Sequence, residues 1–270
     1  MTPERYPDKP YLYNPDNPLH QRAAMVLALL HENGRVTVED AMNIALSPQV
    51  YNADLWQARL AVAWHNANGD TRPDSQTARL CDLILRWNRR ADPGSTGAVA
   101  YQYWKNQLGE PILRADLAGL PPPANVTDEQ LLKALAAGAR QLQKQWGKLE
   151  VAYGDIYRVG REGSSRTWPV GGGSVLGMAT PRAIGFGKQK DGKTYLGRGG
   201  QTSTQVIQLS KPPRSWTLLP LGESDHPDSR HFDDQAEKLF SPGKFKPTYF
   251  LNKEELLKHV ESRKVLHRPL

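Results

Sequence analysis

WTLLPLGESDHPDSRHFDDQAEKLFSPGKFKPTYF, residues 216–250, passes through three kinds of chemistry in one run. It opens on a near-continuous apolar stretch from Trp216 to Leu221, the pattern of a strand buried on both faces. Upstream, STQVIQLS (203–210) alternates and predicts a partner strand with Val206 and Leu209 inward. KPPR between them is a prolyl turn. After the strand come Glu223, Asp225, His226, Asp228, His231, Asp233 and Asp234. Zinc or a hard metal is one reading of that cluster. His226 and His231 are five apart across a proline, so they do not share a helical face. The structural reading has Ser229 or Asp228 capping a helix that begins near His231 and stops at Pro242-Gly243. Asn252 and Glu255 form another N-terminal box, for a last helix over 253–264.

Before this block the chain is basic and glycine-rich. Residues 158–200 carry eight Lys+Arg against two acids, with Trp168, Phe186 and Tyr195 interspersed. That composition suits a polyanion surface, and equally a solvated basic loop; no nucleic-acid fold pattern surrounds it, so nucleic acid is the disfavoured reading. GREGSSRTWPVGGGSVLGM (160–178) reads as loop. GGG (171–173) and GRGG (197–200) match no GxxxxGK[ST] phosphate loop.

The chain changes character near residue 150. Residues 1–150 hold 16 Lys+Arg and 16 Asp+Glu, so the whole net charge of +7 lies in 151–270. We expect a mainly helical region over 1–150, and Gly-rich loops, core strands and C-terminal helices over 151–270. The first half reads as serial amphipathic helices. Residues 17–34 place Leu19, Ala23, Val26, Leu27 and Leu30 on one face. Thr37 with Asp40 opens a short helix. Residues 50–69 put Leu55, Ala58, Ala61 and Val62 on one face; 75–90 and 95–109 follow, the latter from a Ser95 cap. GLPPPAN (119–125) is a linker, and Thr127 with Gln130 boxes a long helix ending at Gly147.

At 270 residues, with 39% hydrophobic and 23% charged side chains, the chain has material for a sizeable core. No apolar run approaches the roughly 18 residues of a membrane span. Residues 1–20 are proline-rich without an apolar h-region, so no signal peptide is expected in this chain. The single cysteine, Cys81, sits in the helical stretch LCDLILRW and reads as a buried, inert thiol. No GxSxG elbow supports a Ser-His-Asp triad.

Taken together, the segments resemble the penicillin acylase (penicillin amidase) group of N-terminal-nucleophile amide hydrolases, which includes the acyl-homoserine-lactone acylases. The strongest match is a Gly-x-Ser-x-x-Pro-x-Ser-x-His-x-x-Asp-Gln pattern at Gly222, Ser224, Pro227, Ser229, His231, Asp234 and Gln235. RWNRRADPGSTGAVAYQYWKNQL (86–108), WPVGGG (168–173) and Asn17–Leu30 leading into VTVEDAMNIAL match more loosely, in family order. The resemblance spans nearly the whole chain and corresponds to the C-terminal part of a family β chain.

The resemblance implies an α+β fold: part of the αββα sandwich, with a helical region in the first half. It implies a serine nucleophile whose own α-amine is the general base, and an oxyanion Asn. Both would lie upstream of Met1. Arg22 falls where the family carries an arginine that supports that Asn and the nucleophile; the other reading is a solvated surface Arg. Thr2, an N-terminal threonine if Met1 is removed, is a decoy, since Pro3 follows it. The implied partners are an α chain, the N-terminal part of the β chain and a small N-acyl amide: a β-lactam side chain, an acyl-homoserine lactone or a lipopeptide. Family members are periplasmic or secreted. They often bind calcium, chiefly through parts outside this chain, and no ligand is assigned here. The reading from another class is a non-catalytic module that binds polyanions through 158–200.

Overall fold

The computed structural model describes residues 5–10, 20–32, 34–67, 74–117, 119–249 and 252–266. Helices fill the first part: α1 (Gln21–Glu32), α2 (Val38–Ala45), α3 (Ala53–Asn66), α4 (Ser75–Leu85), α5 (Thr96–Lys105), α6 (Glu110–Leu117), α7 (Asp128–Trp146) and the single turn α8 (Tyr153–Ile156). Among the described residues nine short strands follow in two sheets, so the fold is α+β. The larger sheet has the order β2-β1-β6-β5-β3-β4, from Thr167–Pro169, Tyr157–Gly160, Tyr195–Gly200, Ile184–Lys188, Ser174–Val175 and Met178–Ala179. It is mixed: β1 runs parallel to β6 and β3 to β5. The smaller sheet is antiparallel, β7 (Thr204–Gln208), β8 (Arg214–Leu218) and β9 (Lys246–Pro247).

α7 organises the helices. Thr127 and Gln130 close the full reciprocal capping box, and Gly147 ends the helix at φ 73°. Leu131, Leu135 and Leu142 line its buried face. A side chain at Gly138 would come within 3.0 Å of the Tyr103 backbone, so the glycine lets α5 lie close. Trp56 and Trp104 meet edge to face with centroids 6.1 Å apart, and the Trp104 indole donates to Leu131 O at 3.1 Å. The same apolar core runs through Tyr153 and Tyr157 to Met178. It therefore crosses position 150 and joins helices to sheet.

Two helix faces differ from expectation. In α3 the buried residues are Ala53, Trp56, Gln57, Leu60 and Ala63, while Leu55, Ala58, Ala61 and Val62 face solvent. Both stripes are apolar, and the one carrying Trp56 buries more area. In α1 the buried residues are Gln21, Ala24 and Met25, and Leu27 and Leu30 are exposed. Leu19 lies outside the described residues.

The glycine-rich segment also differs. Residues 160–178, expected as loop, contain β2, β3 and β4. β5 and β6 form a hairpin whose Asp191-Gly192 tip carries the usual hairpin dipeptide. The Asp191 carboxylate accepts from the Lys193 and Thr194 amides. The two strands expected over 203–221 are present but shorter. Leu209 is 93% exposed rather than inward, and in β8 only Ser215 and Leu218 are buried. A strand expected to be fully buried on both faces has one buried residue on each, Ser215 and Leu218, with Trp216 and Thr217 half-covered. α6 was not anticipated: it fills 110–117 after Gly109. The helix expected over 231–243 is a wide turn, Ala236–Phe240, and that over 253–264 is five residues, Lys253–Leu257, capped by Asn252.

Candidate functional site

The motif block 222–235 folds as a closed loop clasped by one arginine. Arg161 donates to the carbonyls of Gly222, Ser224 and Phe232. Ser224 N donates to His231 O at 3.1 Å. A Cβ on Gly222 would sit 1.9 Å from that same oxygen, which explains the glycine. The Ser229 hydroxyl accepts from His231 N in a local turn, rather than capping a helix at 231. His231 Nδ1 lies 3.1 Å from Asp234, and Gln235 donates to Glu223. Three of the carboxylates have partners, Glu223 with Lys246, Asp233 with Arg166 and Asp234 with His231, while Asp233 Oδ2 and Asp234 Oδ1 are buried without one among the described residues. Among the described residues no three His, Cys, Asp or Glu converge as metal ligands. Within the loop Ser224, Ser229, His231, Asp234 and Gln235 each take part in a hydrogen bond.

Arg22 is different. It stands in the first turn of α1, and its Nη2 donates to Ser174 Oγ at 2.7 Å, joining positions 152 apart in sequence. Its backbone N–H donates to His20 Nδ1 at 3.3 Å. Burial, and then the charge of Arg22, holds His20 below its ordinary 6.5, so at neutral pH the ring is an uncharged acceptor. Arg22 Nε is buried without an acceptor, and so is the adjacent Gln21 Nε2. Arg22 is half-buried, and its bond to Ser174 lies at the surface. The side chain is anchored at one nitrogen and carries an unused buried donor at another, an arrangement that can orient an incoming oxygen.

Ser174 is held in place by the glycines before it. Gly172 N donates to Ala91 O, the Tyr153 hydroxyl to Gly172 O, and Gly173 N to Thr180 Oγ1. Gly173 adopts φ 129°, and a Cβ there would lie 2.4 Å from Phe186 Cε2. The triple glycine is a packing device, with the Gly172 and Gly173 amides engaged internally. GRGG (197–200) is part of β6.

Most of the basic segment is also structural. Arg158 binds Thr167 and Gly154, Arg161 clasps the motif loop, Arg166 pairs with Asp233 and Arg198 with Glu162. Arg182 is buried. Only the three hairpin lysines, Lys188, Lys190 and Lys193, are left facing outward without such a bond among the described residues, so a polyanion surface is not favoured. The Cys81 thiol is buried and pushed up to about 12, as an inert thiol would be. Thr2 lies outside the described residues.

The penicillin amidase profile matches residues 1–255. The chain belongs to the penicillin amidase family. It is similar to the acyl-homoserine lactone acylase PvdQ of Pseudomonas syringae pv. tomato, at 26% identity over 84% of this chain and 31% of the relative. PvdQ of Pseudomonas syringae pv. syringae is 25% identical and that of Pseudomonas fluorescens 26%, with similar coverage. The chain thus spans about a third of the length of the curated relatives it matches. Among the described residues no helix is long and apolar enough to cross a membrane. Within this penicillin amidase chain, Ser174, Thr180 and His20 carried no signal of their own in the sequence. Their role depends on pairings that no local pattern reveals.

Proposed function

We propose that this chain is the C-terminal share of an amide hydrolase that cleaves N-acyl amides through an acyl-enzyme on an N-terminal serine. The serine and the oxyanion Asn would come from a complementary polypeptide. Arg22 is a positioning residue: its anchored guanidinium orients that Asn through the free Nε donor. The observation that carries this reading is the buried, acceptor-less Arg22 Nε beside the Ser174 anchor. The neutral His20 ring fixes the first turn of α1, so the donor is preorganised rather than mobile.

The reaction transfers the acyl group from the amide nitrogen to the serine oxygen, releases the amine, and then hydrolyses the ester to a carboxylic acid. β-Lactam side chains, acyl-homoserine lactones and lipopeptides are the substrate classes the family suggests. The names of the relatives favour the lactones. We place residues 1–150 as the helical part and the strands of 151–270 as part of an αββα sandwich, in an exported enzyme. The test is hydrolysis of a chromogenic acyl amide by the purified chain, alone and with the complementary polypeptide. Turnover only in the presence of the complement supports the proposal. Turnover by the chain alone overturns it.

A further inference from the structure

A cavity of about 1160 Å³ opens between α2, the 90–93 turn and β8, with Leu46, Trp216 and Phe245 in its walls. Arg182 lines it and is only 5% exposed. The backbone of Arg182 is pinned: its N–H donates to Ser47 O at 3.1 Å, and its carbonyl accepts from Thr180 Oγ1 at 2.7 Å. The guanidinium packs 4.6 Å over the Phe240 ring, and Nη2 donates to Phe240 O. Its Nε is buried without an acceptor.

No carboxylate pairs with Arg182 among the described residues. Asp92 faces the same cavity but is held by Arg90 at 3.0 Å. Burial lowers the Arg182 pKa to about 10, which leaves it charged at neutral pH. A buried cation with one carbonyl and a ring for company is electrostatically incomplete. Arg214, stacked on Trp216 at the same cavity, adds a second positive charge. A planar guanidinium with an unused donor matches a carboxylate.

We propose that Arg182 is the binding group for a carboxylate that enters this cavity. Two sources share that chemistry: an acidic side chain of a complementary polypeptide, and a free carboxylic acid such as the product of an acyl-amide cleavage. The proposal stands apart from the acylase reading, because its test requires neither catalysis nor a second chain.

The test follows arginine Nε–H signals by NMR in the purified chain during titration with acetate, hexanoate and hexanamide. Chloride holds ionic strength constant. The Arg182 signal is identified by its loss in Arg182→Lys, and Arg214→Gln serves as the control for general charge. Saturable movement of that signal with the carboxylates and none with hexanamide is expected. Melting-temperature gains with hexanoate should shrink in Arg182→Lys, a variant that keeps the charge and so spares the fold. Hexanoate at least about tenfold tighter than acetate would name a free acid with its chain on the apolar wall. Equal affinity would name an acidic side chain. The proposal is overturned if no carboxylate moves the signal, or if hexanamide moves it as far.

Discussion

The helical core and the Arg22–Arg182 side of the molecule are packed to different degrees. Around Trp56, Trp104 and α7 the large side chains are fully buried, and the Trp104 indole finds a carbonyl. Around α1, β3 and β8, polar atoms of Gln21, Arg22 and Arg182 are buried without partners, and Leu27, Leu30, Ile207 and Leu209 are exposed. Both features also occur beside the helical core, where Gln102 Oε1 and Asn106 Oδ1 are buried without partners and α3 exposes Leu55 and Val62, so the two regions differ in degree. Among the described residues the first region is closed by large buried side chains, and the second is the one to which the proposed complement would add.

The sharpest way to break that contrast is a pair of tryptophan deletions read by urea unfolding. Trp104→Ala should cost about 3–5 kcal/mol, since it empties a fully packed site. Trp216→Ala, half-covered in the smaller sheet, should cost about 1–2 kcal/mol. Equal losses would mean that the two regions are equally packed.

The motif loop gives the next largest effect. Gly222→Ala forces a methyl against His231 O and should cost about 1–3 kcal/mol through overpacking. Arg166→Gln, 61% exposed on its side of the Asp233 pair, should cost less. A Gly222→Ala protein as stable as the parent would remove the structural account of the motif.

Helix caps sharpen the comparison further. Thr127→Ala should lower global stability by about 1 kcal/mol. The equivalent Thr37→Ala should raise hydrogen exchange within α2 alone, because α2 contributes only Ile44 to the buried set.

The smallest effect is a pair of histidine titrations of opposite sign. His20 is lowered by burial, so its stability contribution is present above pH 6.5 and is lost as pH falls through its folded value. His231 is raised by its hydrogen bonds to Asp234 and Glu261, so its contribution is complete below 6.5 and is lost as pH rises through its folded value. NMR of the two rings should place their midpoints on either side of 6.5. Midpoints on the same side would contradict the described environments.

What could be read from sequence followed the range of the interactions. Thr37–Asp40, Thr127–Gln130, Ser95 and Asn252 act within one helical turn, and each cap appears where the spacing put it. The buried faces of α1 and α3 were misread because both stripes are apolar and only tertiary packing chooses between them. β1, β5 and β6 were hidden by glycines that low strand propensity disguises, although Asp191-Gly192 was a usable hairpin signal. Arg22 was singled out only through family resemblance, and neither its contact with Ser174 nor the cavity at Arg182 left a local signal.

The central claim is that Arg22 orients an oxygen supplied from outside this chain. The most direct measurement is steady-state acyl-amide hydrolysis by Arg22→Lys and Arg22→Gln chains combined with the complementary polypeptide. A fall in kcat on the order of 10²-fold with KM nearly unchanged and the melting temperature retained is the predicted result. Unchanged kcat in a folded Arg22→Gln protein would contradict it.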